Sequence, residues 1–380
     1  MKIQSRLPDV GTSIFTIMSK MAHDCGAINL SQGFPDFSID KKIIELVNQF
    51  MEADHNQYAP MPGTPELRGA ISEVILRSFG IRRDPENEIT ITSGATEAIY
   101  AVITAFIAPG DEVIVFDPSY DSYNPVIRLN GGLPVHINLQ YPDFSVDWDL
   151  VRSKISDRTK MIVINTPHNP SGAVMMEADM KELEAIVLKH NILVLSDEAY
   201  ERLIFDGNIH QSVLRYPGLS SLSLAVFSFG KTFHATGWKM GYVSAPAYLM
   251  EEIRKTHQFI VFSVNTPIQL ALAEYLKVPE HYESLGAFYQ SKRDFFLQRL
   301  KGSSFVPLAC NGSYFQILSY DNISSKSETE MAEELTRKYK VAAIPVSVFY
   351  QDKTDHKTLR FCFAKKEETL EKACDILRTI

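Results

Sequence analysis

The middle of this chain alternates short apolar segments with helical patterns, and this alternation restricts the fold more than any other feature. Near-continuous apolar strands separated by helices are typical of a mostly parallel sheet that helices cover on both faces. The sequence therefore predicts an α/β fold. The predicted strands are Glu112–Phe116, Met161–Asn165, Ile192–Ser196, Leu224–Phe229 and Met240–Ser244, and the helices between them include Thr96–Ala108 and Met180–His190.

The pattern changes after about residue 285, where longer helical stretches surround two runs that alternate like strands. The runs are G-S-Y-F-Q-I-L and T-L-R-F-C-F, and we expect each to have one face in solvent. The helical stretches are Tyr289–Leu300, Thr329–Tyr339 and Lys366–Thr379. We predict a large domain over residues 43–284 and a smaller α+β domain over 285–380, against which residues 1–42 pack.

Composition excludes several classes of protein. The 380 residues carry a net charge of −8, which gives no basic surface for nucleic acid. No run approaches the roughly 20 apolar residues of a membrane span, and the first residues contain no signal-peptide core. A cytoplasmic protein is expected. The cysteines at 25, 310, 362 and 374 form no C-x-x-C pair, so we predict reduced, buried thiols and no metal site.

The most informative motif is S-F-G-K-T-F-H-A-T-G-W-K-M-G, residues 228–241. An apolar strand leads to Lys231, and the Ser228 hydroxyl and the Lys239 ammonium supply what a phosphate dianion needs. Burial and nearby positive charge would lower the pKa of Lys231 and free its amine to form an imine. Two alternatives stay open: a lone lysine at a strand end is commonly solvated, and Lys239 could form the imine instead.

A second motif, I-T-S-G-A-T-E-A at residues 91–98, places small residues where a helix begins. Free N–H groups and the helix dipole at such a position favour an anion. The motif is weak alone, because Ser93 or Thr96 could serve as an ordinary N-cap. Combined with Ser228 and Lys239, it completes a predicted phosphate site.

Polar side chains follow the ends of the predicted strands, where ligands bind in open α/β sheets. If Asp197 lies opposite a pyridine nitrogen, its carboxylate would keep that nitrogen protonated. An acid at a strand end can instead simply cap the local backbone. Tyr200 and Asn169 are placed to reach a ring hydroxyl, and Tyr120 offers a face for stacking. An imine-forming lysine, a phosphate site and an acid for a ring nitrogen together indicate pyridoxal phosphate.

Arg360 lies in L-R-F-C-F, an otherwise apolar strand. An arginine in such a place needs an anion, and a substrate carboxylate fits its two-pronged donor geometry. A structural salt bridge is the competing explanation.

These residues, in this order, resemble the class I and II aminotransferases of the fold-type-I pyridoxal phosphate enzymes. The resemblance runs from N-L-S-Q-G-F-P-D-F (29–37) to R-F-C-F-A-K-K (360–366). Within that family the chain is similar to the bacterial methionine aminotransferases and, more distantly, to the kynurenine aminotransferase/glutamine transaminase group. The motifs that carry this finer similarity are N-Q-Y-A-P-M-P-G, S-Y-D-S-Y, N-T-P-H-N-P-S and F-S-V-N-T-P.

The resemblance implies a large domain with a mostly parallel seven-stranded sheet and a role for each motif residue. Lys231 would bond to the cofactor aldehyde, Asp197 would face the pyridine nitrogen, and Tyr120 would stack on the ring. Tyr200 and Asn169 would contact the phenolic oxygen, while Arg360, helped by Asn169 and the backbone of Gly33, would bind the α-carboxylate. The residues implied to hold the phosphate are Ala95, Thr96, Ser228 and Lys239.

The resemblance also implies a homodimer with shared active sites, because Tyr58 matches a residue that reaches the phosphate of the neighbouring subunit. Many relatives carry arginine where this chain has Lys239, so cofactor retention is expected to be somewhat weaker. Aromatic residues could form an apolar substrate pocket, partly across the dimer. They are Phe15, Phe34, Tyr58 and the stretch Phe262–Asn265.

The predicted reaction is ping-pong transamination of an L-amino acid with a 2-oxo acid. Methionine and aromatic amino acids, with glutamine or histidine as further candidates, are expected over aspartate. A cysteine-S-conjugate β-lyase on the same fold is the main alternative. A non-catalytic regulator that binds pyridoxal phosphate is a second alternative, disfavoured because the resemblance begins within the first dozen residues and leaves no room there for a DNA-binding domain.

Overall fold

The computed structural model describes residues 3–380, and its largest element is a seven-stranded sheet. The strands of the chain are β1 (Ile28–Asn29), β2 (Ile89–Thr92), β3 (Glu112–Asp117), β4 (Leu133–Asn138), β5 (Thr159–Asn165), β6 (Leu193–Asp197), β7 (Ser223–Ser228), β8 (Gly241–Ser244), β9 (Val306–Pro307), β10 (Phe315–Ser319), β11 (Val341–Ala342), β12 (Ile344–Pro345) and β13 (Thr358–Cys362). The large sheet has the order β2-β8-β7-β6-β5-β3-β4. Strand β8 is antiparallel to both neighbours and the other pairs are parallel, so the predicted mostly parallel sheet is confirmed.

Helices cover this sheet and build most of the rest of the chain. They are α1 (Ile14–Cys25), α2 (Lys41–Glu52), α3 (Pro65–Phe79), α4 (Gly94–Phe106), α5 (Tyr123–Leu129), α6 (Trp148–Lys154), α7 (Glu177–His190), α8 (Pro217–Leu222), α9 (Phe229–Thr232), α10 (Ala247–Ile260), α11 (Thr266–Tyr275), α12 (Glu280–Glu283), α13 (Leu285–Leu300), α14 (Glu328–Arg337) and α15 (Glu367–Leu377). Helix α3 shows how the sequence sets these bounds: the Thr64 hydroxyl caps its first turn, and Gly80 ends it at φ 77°. Within residues 3–380, no helix combines the length and apolar character that crossing a bilayer requires.

The strands of the large sheet are apolar on both faces because each face meets a separate core. In β3, Val113 and Val115 pack on the side of α4 and α10, whereas Ile114 packs on the opposite side with α2 and α3. Strand β5 repeats the alternation, with Val163 on the first side and Ile164 on the second. The double burial explains why these strands are near-continuous apolar runs instead of alternating ones.

Strand β7 is shifted by one residue from its prediction. It ends at Ser228, and Phe229 begins the short helix α9, so Lys231 lies within a single helical turn that follows the strand. Ser228 pairs directly with Gly241, the first residue of β8. This pairing brings both ends of the S-F-G-K…K-M-G motif to the same edge of the sheet.

The C-terminal strands form a four-stranded antiparallel sheet of order β12-β13-β10-β9. The prediction that β10 and β13 have a solvated face is wrong, because all five residues of each strand are buried. One face packs in a core with α13, α14 and α15, to which Leu318 and Phe361 contribute. On the other face, Ile317 joins the core that also contains α2 and α3, and Arg360 donates to Ser31 of the N-terminal segment. Strand β1 pairs with β11, and Met18 and Leu30 join the same C-terminal core.

Candidate active site

A cavity of about 300 Å³ lies at the carboxyl ends of β5, β6 and β7. It gathers the residues predicted to hold the cofactor and the substrate carboxylate, except Tyr58, whereas Phe34 and the stretch Phe262–Asn265 lie outside it. The predicted residues that line it are Phe15, Gly33, Ala95, Thr96, Tyr120, Asn169, Asp197, Tyr200, Ser228, Lys231, Lys239 and Arg360. The location agrees with the general rule that open α/β sheets bind ligands beyond the carboxyl ends of their strands.

Lys231 is half-buried in the wall of this cavity. Its Nζ donates a hydrogen bond of 3.3 Å to the carbonyl oxygen of Gly33 and lies 5.9 Å from the centre of the Tyr200 ring. Burial lowers the pKa of Lys231 from 10.5 to about 8, and the charges of Arg360 and Lys239 lower it as well. An appreciable fraction of this amine is therefore neutral, and nucleophilic, near neutral pH.

One end of the cavity consists of hydrogen-bond donors. Helix α4 begins there at Gly94, so the N–H groups of its first turn, including that of Ala95, have no partner within the helix. The Lys239 Nζ lies 3.5 Å from the point that a Cβ on Gly94 would occupy. A Cβ on Gly241 would come within 2.9 Å of the Ala95 nitrogen, so β8 and the helix start approach as closely as glycine allows. With Ser228 alongside, this end suits a dianion.

Asp197 is the one carboxylate among the described residues that line the cavity. It ends β6 and is 5% exposed. Its Oδ2 accepts a hydrogen bond of 2.6 Å from the Tyr123 hydroxyl, and its Oδ1 accepts one of 3.2 Å from the Ala199 N–H. Burial raises the pKa of Asp197, and these two hydrogen bonds act in the opposite direction.

Asn169 connects the loop after β5 to Arg360. Its backbone N–H donates to Asn165 Oδ1 at 2.8 Å, and its own Oδ1 accepts from Arg360 at 2.7 Å. Because the oxygen of the Asn169 amide is used in this way, its Nδ2 is left to donate to a ligand. Asn165 also donates to the main-chain oxygen of Asp197 at 2.9 Å, so it ties the two loops together.

Tyr120, which is predicted to stack on the cofactor ring, and Tyr200, which is predicted to contact the phenolic oxygen of that ring, are both largely enclosed by the protein. The Tyr120 hydroxyl lies 3.4 Å from that of Thr96, which joins the stacking candidate to the start of α4. Tyr200 is 4% exposed and meets Tyr314 edge to face, with ring centres 5.1 Å apart. Burial raises the pKa of both Tyr120 and Tyr200, so their hydroxyls stay protonated.

Arg360 is fully buried, and the described chain contains no salt bridge of the kind that the competing explanation requires. Its guanidinium donates to Asn169 Oδ1 and, at 3.1 Å, to the main-chain oxygen of Ser31. No carboxylate within residues 3–380 pairs with it, and its Nε has no hydrogen-bond partner there. Burial lowers the pKa of Arg360 to about 10. A charged, buried and incompletely bonded guanidinium is prepared for an anion from outside the chain.

Aromatic rings hold Arg360 in place. The Phe315 ring centre lies 3.8 Å from its Cζ, and those of Phe15 and Phe349 lie at 5.2 and 5.4 Å. Such contacts stabilise a cation without neutralising it. The three rings therefore hold the guanidinium group in place and leave its charge available to a ligand.

The N-terminal segment closes the cavity through Gly33. Its carbonyl accepts hydrogen bonds from Lys231 and from the Tyr314 hydroxyl. A Cβ at this position would lie 2.6 Å from the Phe315 ring, so a larger residue here would have to displace that ring. Gln32, which donates to the Phe15 carbonyl at 3.2 Å, lines the cavity as well.

Sequence reasoning missed four residues that support the site: Gln32, Tyr123, Asn165 and Tyr314. Three of them lie inside motifs that were singled out, L-S-Q-G, D-S-Y and I-N-T-P, but nothing in those motifs shows which neighbour bonds to which. Tyr314 lies in G-S-Y-F, which the pattern identified only as a strand.

Tyr58 lies away from the cavity in the single chain. It is 82% exposed and meets the half-exposed Phe262 edge to face at 5.4 Å. Phe34 is also exposed, and the Lys365 ammonium lies 4.6 Å from its ring centre. Of the aromatic residues predicted to form the substrate pocket, Phe15 alone lines the cavity within the described chain. Contributions across a subunit boundary stay predictions.

Comparison with known proteins identifies the family. Residues 26–377 match the family described as aminotransferase class I and II. The chain is 49% identical to methionine aminotransferase of Escherichia coli over 378 residues, 99% of this chain and 98% of that protein. It is 33% identical to kynurenine–oxoglutarate transaminase 3 of Rattus norvegicus over 409 residues, 100% of this chain and 90% of that protein.

A solved structure agrees with this assignment. A crystal structure of an Escherichia coli protein, described as having a methionine aminotransferase function, superposes with a TM-score of 0.98 at 48% identity and covers 100% of both chains. The predicted fold, that of the fold-type-I aminotransferases, is thereby confirmed. The chain belongs to the class I and II aminotransferases, enzymes that transfer amino groups between amino acids and 2-oxo acids.

Proposed function

We propose that the cavity at Lys231 binds pyridoxal phosphate and transfers the amino group of an L-amino acid with a neutral side chain to a 2-oxo acid. One observation carries the proposal. An amine with a pKa of about 8 shares a cavity with a fully buried arginine that no carboxylate of the described chain neutralises. The Lys231 amine can attack a carbonyl carbon, and the Arg360 guanidinium can bind a substrate carboxylate.

The residues of the cavity fit the cofactor by their chemistry. The start of α4, Ser228 and Lys239 would hold the phosphate, since that end offers donors and no acid. Asp197 would accept a hydrogen bond from the protonated ring nitrogen, and Tyr120 would lie against the ring. When bound, the cofactor supplies an aldehyde for the amino group and an electron-withdrawing ring that stabilises negative charge at the substrate α-carbon.

The chain's own residues would position the substrate and move its proton. Arg360, with the free amide hydrogens of Asn169, would hold the α-carboxylate and fix which α-carbon bond faces the ring. The Lys231 amine would take the proton from the substrate α-carbon on Nζ and deliver it to the carbon of the cofactor's aldehyde group, because its lowered pKa suits both transfers near neutral pH. Tyr200 and Asn169 would donate to the phenolic oxygen, and the Gly33 carbonyl would keep Lys231 nearby.

The choice of a neutral amino acid is based on the charges of the cavity. Its cations within the described chain are Lys231, Lys239 and Arg360, each with a role above, so none is left for the second carboxylate of aspartate. Phe15 and Phe315 offer apolar surface instead. The similarity to a methionine aminotransferase supports methionine, and the similarity to a kynurenine–oxoglutarate transaminase supports aromatic amino acids; glutamine and histidine are further candidates.

We further propose a homodimer in which Tyr58 reaches the phosphate site of the neighbouring subunit. In the single chain the side chains of Tyr58 and Phe259 are exposed by 82% and 86%, which leaves both rings accessible to a second subunit. Dilution of the protein below its dimerisation constant should then release cofactor, and Tyr58→Phe should release it faster than the wild type. Cofactor retention that is independent of protein concentration would contradict the shared site.

A cytoplasmic location stays a prediction.

Steady-state kinetics on the purified protein test the proposal. Methionine, phenylalanine, histidine, glutamine and aspartate are compared as donors with several 2-oxo acids as acceptors. Lys231→Ala should abolish both turnover and the absorbance of covalently bound cofactor, whereas exchange of the exposed Lys189 should change neither. A strong preference for aspartate would overturn the substrate class. Pyruvate and ammonia released from a cysteine conjugate without any acceptor would favour the β-lyase alternative.

A further inference from the structure

Tyr123 is the side chain that binds Asp197. It is the first residue of α5 and is 2% exposed. Its hydroxyl donates to Asp197 Oδ2 at 2.6 Å, and the only other donor to this carboxylate within residues 3–380 is the Ala199 N–H. No cation of the described chain forms an ion pair with Asp197. The phenol is therefore the one side chain of the described chain that donates a hydrogen bond to this buried acid, and the charge of Lys231 acts in the same direction from a greater distance.

The contact favours the charged form of Asp197. A hydrogen-bond donor stabilises a carboxylate more than a neutral carboxyl group, so it opposes the effect of burial. Burial and the Asp197 charge hold the pKa of Tyr123 well above its usual range, so the phenol keeps its proton and acts as the donor. The direction of the bond is thus fixed.

The Tyr123 ring has a second contact that must be separated from the first. It meets Tyr120 edge to face, with ring centres 5.6 Å apart and an interplanar angle of 80°. A Tyr123→Phe variant keeps this ring in place and removes only the hydroxyl. The variant therefore isolates the bond to Asp197.

We propose that Tyr123 is a positioning residue that keeps Asp197 ionised and aimed into the cavity, so that the proton between Asp197 and the cofactor ring stays on the ring nitrogen. Without the phenol, the carboxyl group would compete better for that proton, and the ring nitrogen would spend more time neutral. A neutral ring withdraws electrons less effectively. The proposal rests on the proposed function, since it requires pyridoxal phosphate in this cavity.

Binding of two cofactors to the apo-protein tests the proposal without measuring catalysis. One is pyridoxal phosphate, and the other is its analogue with a ring carbon in place of the nitrogen, which can neither carry the proton nor bond to Asp197. Tyr123→Phe should weaken binding of pyridoxal phosphate about tenfold or more, because an Asp197 that is no longer held toward the cavity loses its own hydrogen bond to the charged ring nitrogen. It should change the dissociation constant of the carbon analogue by less than about twofold, since no such bond is involved.

Tyr350→Phe is the matched control, because Tyr350 is also buried, at 1% exposure, and its hydroxyl has no hydrogen-bond partner in the described chain. It should change neither constant. An Asp197→Asn background provides a second measurement that does not depend on how well Tyr123→Phe alone folds. There the preference for the nitrogen-containing cofactor should be lost, and adding Tyr123→Phe should have no selective effect.

Equal weakening of both cofactors by Tyr123→Phe would overturn the proposal, because it would indicate a merely structural role. Unchanged binding of both would overturn it too. Failure of the wild-type apo-protein to bind pyridoxal phosphate is a different result, which would overturn the proposed function itself.

Discussion

Replacing Arg360 with lysine separates two functions of this guanidinium, its proposed binding of the substrate carboxylate and its hydrogen bonds within the protein. In the structure it donates hydrogen bonds to Asn169 and Ser31, and its Nε, next to the cavity, has no hydrogen-bond partner among the described residues. A lysine keeps the positive charge but loses the fork that binds a carboxylate through two bonds. We expect Arg360→Lys to fold, to bind cofactor and to lose affinity for the substrate carboxylate.

The expected size of the effect follows from the bonds lost. A hydrogen bond to a charged group contributes about 1.5–3 kcal/mol, and a lysine can replace one of the two. The remaining loss corresponds to a fall of roughly 10- to 150-fold in kcat/KM for methionine. The lost bond to Asn169 or Ser31 should lower the free energy of unfolding by about 1 kcal/mol.

Single-turnover kinetics with two amines distinguish the two functions. L-Methionine carries the carboxylate, and 3-(methylthio)propylamine is the same molecule without it. The variant should lose its rate advantage on methionine and react with the amine at close to the wild-type rate. Equal losses on the two compounds would refute the carboxylate role and leave Arg360 as a structural residue.

Three further predictions concern the same cavity. The rate at which the apo-protein covalently captures pyridoxal phosphate should rise with pH up to about 8 and then level off, because the lowered pKa of Lys231 makes its amine neutral there. A rise that continues to pH 10 would contradict the lowered pKa. Gly241→Ala should lower the free energy of unfolding, measured by thermal unfolding, by about 1–3 kcal/mol, since the new Cβ would lie 2.6 Å from the Phe227 oxygen. The control Gly69→Ala, in open space within α3, should raise it by about 0.5–1 kcal/mol. Equal effects of the two changes would show that the close contact at Gly241 relaxes freely. Lys239→Arg should slow the loss of cofactor on dialysis by restoring a fork at the phosphate, and faster loss would exclude that geometry.

The sequence predicted the fold wherever burial leaves a direct pattern. Runs such as Val113–Val115 are apolar at every position because both faces of the sheet are covered. Strand direction leaves no such pattern, which is why the antiparallel pairing of β8 was not predicted. The burial of β10 and β13 was mispredicted because the segments that cover their second face lie far away in the sequence.

The site was predicted where one motif supplies several groups, as between Ser228 and Lys239. Partnerships between distant segments were not: Tyr123 and Asp197 are 74 residues apart, and neither residue type specifies the other. The domain boundaries after residues 42 and 284 stay predictions, as does the role of Tyr58.

The uncompensated charge of Arg360 has a practical consequence for anyone who handles this protein. A buried guanidinium that forms no ion pair within residues 3–380 should attract small anions from the medium. Acetate or formate in a purification buffer should compete with substrate, so Michaelis constants measured in carboxylate buffers will be too high. Assays in zwitterionic, chloride-poor solutions should give the lower values.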